Sequence, residues 1–85
     1  MNLDYFVTYT DTFAGEANYS WVRRCEVSMP DESRYAHRRY YRGELMRKVK
    51  RVLGLTGVRG RLESYGEQIA FRPAHSCTVV FIVLR

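Results

Sequence analysis

Only one stretch of this chain carries sustained helical periodicity: residues 34–53, RYAHRRYYRGELMRKVKRVL. With Leu45 at zero on a wheel of about 100° per residue, Leu45, Val49, Val52, Tyr41, Leu53 and Met46 share an arc of roughly 140°. Arg39, Gly43, Arg47, Lys50 and Arg51 fall opposite, with Tyr40 and Glu44 beside them. The pattern predicts an amphipathic helix with one face to bury and one basic face in water. Gly54 suits a left-handed C-cap, and Lys48, Lys50 and Arg51 complement the dipole of the last turns. Asp31 or Ser33 is the candidate N-cap. Arg38 and Arg42 project into the apolar arc, so either packing begins near Tyr41 or the first turns overhang the core.

The remaining pattern is that of strands. Residues 4–10 (DYFVTYT) are β-branched and aromatic, with Tyr5, Val7 and Tyr9 on one face and Phe6, Thr8 and Thr10 on the other. Residues 11–18 (DTFAGEAN) supply turn chemistry for a long hairpin loop. Residues 19–29 read as the second strand, with Tyr19, Trp21, Cys25 and Val27 opposite Arg24 and Glu26. Arg23 interrupts the apolar side, which implies a bulge or a partly covered face. Pro30 ends that strand. Residues 58–64, 67–72 and 77–84 predict three more, with Tyr65-Gly66 as a tight connection.

The predicted fold is α+β: a mainly antiparallel sheet of four to five strands, one amphipathic helix on one face, order ββαβββ, a single domain over residues 1–85. The last strand, CTVVFIVL, is apolar on both faces and is expected at the sheet centre. One helix covers one face only. The other requires the long loop, the aromatics Tyr5, Tyr9 and Trp21, a second copy of the chain, or a partner. A homodimer or a partner interface is therefore expected.

Charge sharpens this picture. Residues 34–51 hold eight Lys or Arg and one acid, Glu44, a net of +7 against a formal +5 for the whole chain. The plain reading is a solvated helix face. The sharper one is a docking face for something anionic, because bases on a merely soluble helix normally alternate with acids. The candidate binding residues, for protein or nucleic acid, are Arg38, Arg39, Tyr40, Arg42, Arg47, Lys50 and Arg51. Phe13 and Glu16 in the hairpin loop form a secondary candidate surface.

Other chemistry is sparse. Cys25 and Cys77 lack CxxC spacing and sit in predicted strands, so reduced, buried thiols are expected. His37 and His75 do not make a metal site. GLTGVRG (residues 54–60) follows a helix instead of opening one and lacks the Lys-Ser/Thr of a phosphate loop. Asp11 and Glu16 read as turn carboxylates offsetting Arg23 and Arg24. No enzyme, metal or cofactor is expected. With no leader-like segment and no apolar run long enough to span a bilayer, a soluble, intracellular protein without membrane association is expected.

The segment YFVTYTDTFAGEANYSWVRR (residues 5–24) resembles the opening of a group of very short phage and prophage proteins. HSCTVVFIVL at the other end is similar to their closing strand, and LGLTG after the helix fits the same pattern. By class, the chain resembles the anti-CRISPR inhibitors. The resemblance implies a non-enzymatic protein in the cytoplasm of a bacterial host that binds subunits of a type I CRISPR-Cas effector and blocks target DNA binding. A net charge of +5 departs from the acidic, DNA-mimicking members of that class. Such an inhibitor would dock its basic helix on an acidic protein patch, or grip guide RNA or DNA directly. The competing expectation is a small basic nucleic-acid-binding phage protein or regulator, and a third is an accessory phage protein.

Overall fold

The computed structural model describes residues 2–30 and 38–85, with helical side chains described from Tyr41 onward. The elements are β1 (Asn2–Phe13), β2 (Glu16–Pro30), α1 (Arg38–Leu53), β3 (Gly60–Tyr65), β4 (Gln68–Pro73) and β5 (Thr78–Leu84). The order is therefore ββαβββ. The strands form one five-stranded antiparallel sheet, β2-β1-β5-β4-β3, with β2 and β3 at its edges. β5, apolar on both faces, lies at the centre. The candidate N-caps Asp31 and Ser33, and His37, lie outside the described residues.

Strand alternation sorts the core. On the face toward α1, Tyr5 pairs with Val27, Val7 with both Cys25 and Ile82, and Phe71 with Val80. Leu45, Val49 and Leu53 of α1 are buried against these, together with Tyr41 and Met46. Each fully buried aliphatic side chain stabilises the fold by about 1.5–3 kcal/mol. Tyr41, the first described side chain of α1, is buried, and its hydroxyl shares a 2.9 Å hydrogen bond with that of Tyr5.

The helix ends as its glycine predicts. Gly54 has φ +76°, its N–H donates to the Arg51 carbonyl, and the Leu55 N–H donates back to the Lys50 carbonyl. These two bonds define a Schellman motif. A second turn follows at once: the Val58 N–H donates to the Leu55 carbonyl, with Gly57 at φ +82°. Positive φ at the third position of a turn is the type II requirement. This use accounts for the glycine-rich run without any phosphate.

The hairpin differs from the expected long loop. β1 and β2 run on to a two-residue connection, Ala14-Gly15, between the paired Phe13 and Glu16, and both loop residues have positive φ. That is the hairpin turn whose twist matches the strands it joins. The irregularity lies further back, where pairing jumps from Thr10↔Val22 to Thr12↔Ala17. The extra residues, 18–21, bulge from β2, and Tyr19 adopts φ +57° there. Arg23 itself pairs regularly with Tyr9 and is exposed, so of the two expectations at that residue it is the partly covered face that holds.

Of the covers expected for the face away from α1, the hairpin segment reaches it and the aromatics do not. Tyr5, Tyr9 and Trp21 lie on the helix side, so they do not shield it. Instead the hairpin tip bends onto this far face, where Arg72 Nη1 donates to the Gly15 carbonyl at 3.0 Å. Arg72 Nε also donates to Glu63 at 2.7 Å, which holds that carboxyl below its ordinary range, helped by the Tyr65 hydroxyl. Ala70 and Val79 on this face are fully buried, whereas Phe81 and Val83 are half-buried and Phe6 is exposed beneath the Arg85 guanidinium. Cys77 was expected in a buried strand; it is exposed and precedes β5, while Cys25 is half-buried, and both are free thiols. Burial pushes the Cys25 thiol up.

Gly60 supplies a packing test. A Cβ there would collide with the Arg72 carbonyl and would lie 2.8 Å from Phe71 Cε1. Gly60→Ala should therefore destabilise the protein by about 1–3 kcal/mol in urea unfolding. Gly43 in mid-helix has open space around its would-be Cβ, so Gly43→Ala should stabilise by about 0.5–1 kcal/mol.

Candidate binding surface

The seating of the helix on the sheet decides which cations face outward. On one flank Lys48 Nζ reaches the Ser28 carbonyl of edge strand β2 at 2.9 Å. On the other flank Lys50 Nζ lies 4.6 Å from the centre of the Phe71 ring on β4. Lys50, placed opposite the apolar arc by the wheel, is in fact half-buried in a cation–π contact. Its four-carbon stem reaches down from the helix shoulder to the sheet. Val52, placed in the buried arc, is 49% exposed. It lies one turn beyond Lys48, on the side of the helix from which Lys48 reaches β2.

Arg42, Arg47 and Arg51 are exposed. Arg47 is bound at 2.7 Å by Glu44, one turn earlier on the same helix. Among the described residues, Arg42 and Arg51 have no ion-pair partner. Arg47, Lys50 and Arg51 line an open cleft of about 450 Å3 with Gly43, Met46, Thr56 and Gly57. Glycine at position 43 keeps its rim low. The side chains of Arg38, Arg39 and Tyr40 lie outside the described residues; their backbone forms the first turn of α1.

Phe13 and Glu16 are not brought to this surface. They pair across the hairpin tip, with Phe13 75% exposed. Asp11 is no partner for Glu16 either. Its carboxylate accepts from the Ser20 N–H at 2.9 Å, the Ser20 hydroxyl at 2.6 Å and Asn18 Nδ2 at 3.0 Å. Beneath it, the buried Thr10 hydroxyl donates to the Trp21 carbonyl and accepts from the Tyr19 N–H. These bonds fix the bulge, and the Ser20 and Asn18 donors hold the Asp11 carboxyl well below the usual carboxylate range.

Sequence reading missed a set of residues at the hairpin end of the helix side. Arg23 Nη1 donates to the last helical carbonyl, that of Leu53, at 3.4 Å. Beside it, the Tyr9 and Trp21 rings meet edge-on, centroids 5.0 Å apart at 78°. Trp21 remains 41% exposed. Arg23 on the apolar side of β2 was the available signal.

Among the described residues no three His, Cys, Asp or Glu side chains converge as a metal site, and no helix is long and apolar enough to cross a membrane. Comparison with protein-family models, with curated proteins and with solved structures finds no match. The functional reading therefore rests on this chain's own chemistry.

Because the folded pKa of Asp11 is depressed, its bonds contribute stability above the ordinary carboxylate pKa, and that contribution is lost as pH falls below it. Asp11→Ala should lower the melting temperature at pH 7, and the gap to the parent should shrink progressively as pH is taken from 5 toward 2 (~2–5 being the range over which paired carboxylates protonate). A gap independent of pH would assign the loss to packing alone.

Proposed function

We propose that this chain is a non-enzymatic binding protein that acts stoichiometrically, docking the outward cations of α1 on an anionic macromolecular surface. Within the phage setting that its two ends resemble, the reading is an anti-CRISPR inhibitor. It would bind a type I CRISPR-Cas effector in the bacterial cytoplasm and occupy the surface that target DNA needs. The observation that carries the proposal is the charge asymmetry of α1. Arg42 and Arg51 are exposed without an ion pair among the described residues, and Arg47 and Arg51 edge a cleft with one carboxylate, Glu44, nearby. Such a face gains little as an intramolecular stabiliser. It does raise the encounter rate with an acidic surface.

A second reading, a small nucleic-acid-binding phage protein, is favoured by the cleft itself, since Arg47, Lys50 and Arg51 around a glycine would admit a phosphate. Salt separates the two. A nucleic-acid binder loses affinity for free DNA or RNA in proportion to the phosphates it neutralises, and binds them measurably at low salt.

The Arg47→Glu/Arg51→Glu double variant should keep its melting temperature within a few degrees, because both side chains face water. Its affinity for a purified type I effector complex in pull-down and interferometry should fall about tenfold or more, mostly through slower association. Undiminished binding and inhibition would remove α1 as the docking face. Tight mobility shifts of naked DNA or RNA, without capture of the effector, would transfer the conclusion to the second reading.

A further inference from the structure

The outer edge of β2 carries features that the helix face does not explain. β2 is fifteen residues long and terminates the sheet. Ser28 turns its carbonyl away from β1, where Lys48 takes it. The two-residue period of a strand turns the N–H and C=O of Val22, Arg24 and Glu26 the same way. This leaves a row of strand donors and acceptors between the bulge at residues 18–21 and the Lys48 contact. Edge strands of this length are usually blunted by a covering element or an inward charge. Here the bulge ends the row at one side and Lys48 at the other, and among the described residues nothing pairs with the interval between.

What borders the interval is chemically one-sided. On the helix side stand Lys48, Arg23 and the exposed Val52, with the Tyr9–Trp21 pair at the far end. On the other side Arg24 is exposed, and Glu26 is already shared with Arg85 at 3.8 Å. The end of the row is also held rigidly. Asp11 and Thr10 anchor a bulge in which Tyr19 keeps a left-handed φ of +57°. Non-glycine residues adopt that conformation only where their surroundings over-determine it.

We infer that the open edge of β2, residues 22–26, is a strand-docking site for an extended acidic peptide segment of a protein partner. Its backbone would pair with Val22, Arg24 and Glu26. Its carboxylates would meet Arg23, Arg24 and Lys48, and an apolar side chain would lie on Val52 or Trp21. Main-chain pairing of this kind gives affinity, and alternate side chains give specificity. A second copy of this chain fits poorly, because antiparallel β2–β2 pairing centred on this interval sets Arg24 against Arg24 and brings Arg23 and Lys48 of both copies together. Nucleic acid satisfies the cations and leaves the backbone row unpaired. The site is separate from the outward arginines of α1 and does not require the proposed effector as target.

Trp21 is the single tryptophan of the chain, so its fluorescence reports on the site directly. The probe is a blocked nine-residue peptide of alternating Glu and Val, compared with the same sequence N-methylated at alternate amides and with a fifteen-nucleotide oligo-dT. The unmodified peptide should shift or quench Trp21 emission saturably and broaden the amide resonances of Arg24 and Glu26. The N-methylated peptide should bind at least tenfold more weakly. Glu26→Pro removes an outward N–H while leaving the ladder to β1 intact, and should cost at least fivefold with no loss of folded-state circular dichroism. Lys48→Glu should weaken the peptide about as much, and the Arg47→Glu/Arg51→Glu variant less than twofold. Equal binding of the N-methylated peptide, a response to oligo-dT alone, or no saturable response to any probe would overturn the inference. Persistence of peptide binding when the effector is not captured would leave this site standing and remove only the proposed target.

Discussion

The burial of one helical stripe against the β2-β1-β5-β4 face fixes everything else in this small protein. Leu45, Val49 and Leu53 have no other place to hide, and the strands beneath supply Val7, Val27, Val80 and Ile82 in register. Once that stripe is seated, the helix cannot rotate without exposing it. The position of every cation on α1 follows. Lys48 is drawn to the β2 edge, Lys50 is drawn over Phe71, and Arg47 and Arg51 are left pointing away.

The hairpin obeys a different logic. It is too long for the helix to cover and gains its order from polar groups instead of apolar burial. A single carboxylate, Asp11, gathers three donors from the bulge, and a buried hydroxyl, Thr10, ties both strands there. Several hydrogen bonds converging on one exposed segment make a local conformation persist that the backbone alone disfavours. The other end of the same hairpin is fastened across the sheet by Arg72, which bonds both Glu63 and the turn carbonyl of Gly15.

The two candidate surfaces therefore arise from the two ways the chain achieves order. The basic helix face is what remains after hydrophobic packing has taken its stripe. The β2 edge and its aromatic end are what remain after a polar network has shaped the hairpin. Both are cationic, and an acidic partner is the one proposed for each. They lie around α1 on different sides, so a partner large enough to span the helix could engage both at once.

The residues alone determined the elements with the clearest chemical signatures. The amphipathic stripe from Tyr41 to Leu53, the glycine at position 54 that closes the helix, and the doubly apolar final strand at the sheet centre all follow from local periodicity and backbone preference. Tertiary structure decided what local pattern cannot encode. A helical wheel has no knowledge of the sheet beneath it, so it put Val52 inside and Lys50 outside; in the fold Val52 is left exposed and Lys50 is drawn over the ring of Phe71. A turn-rich stretch looks like a loop until Asp11 and Thr10 find partners nine to eleven residues away and convert it into a bulged hairpin. The difference is one of range: periodicity and capping are properties of neighbours in sequence, whereas exposure at an edge and satisfaction of a carboxylate depend on which distant strands arrive.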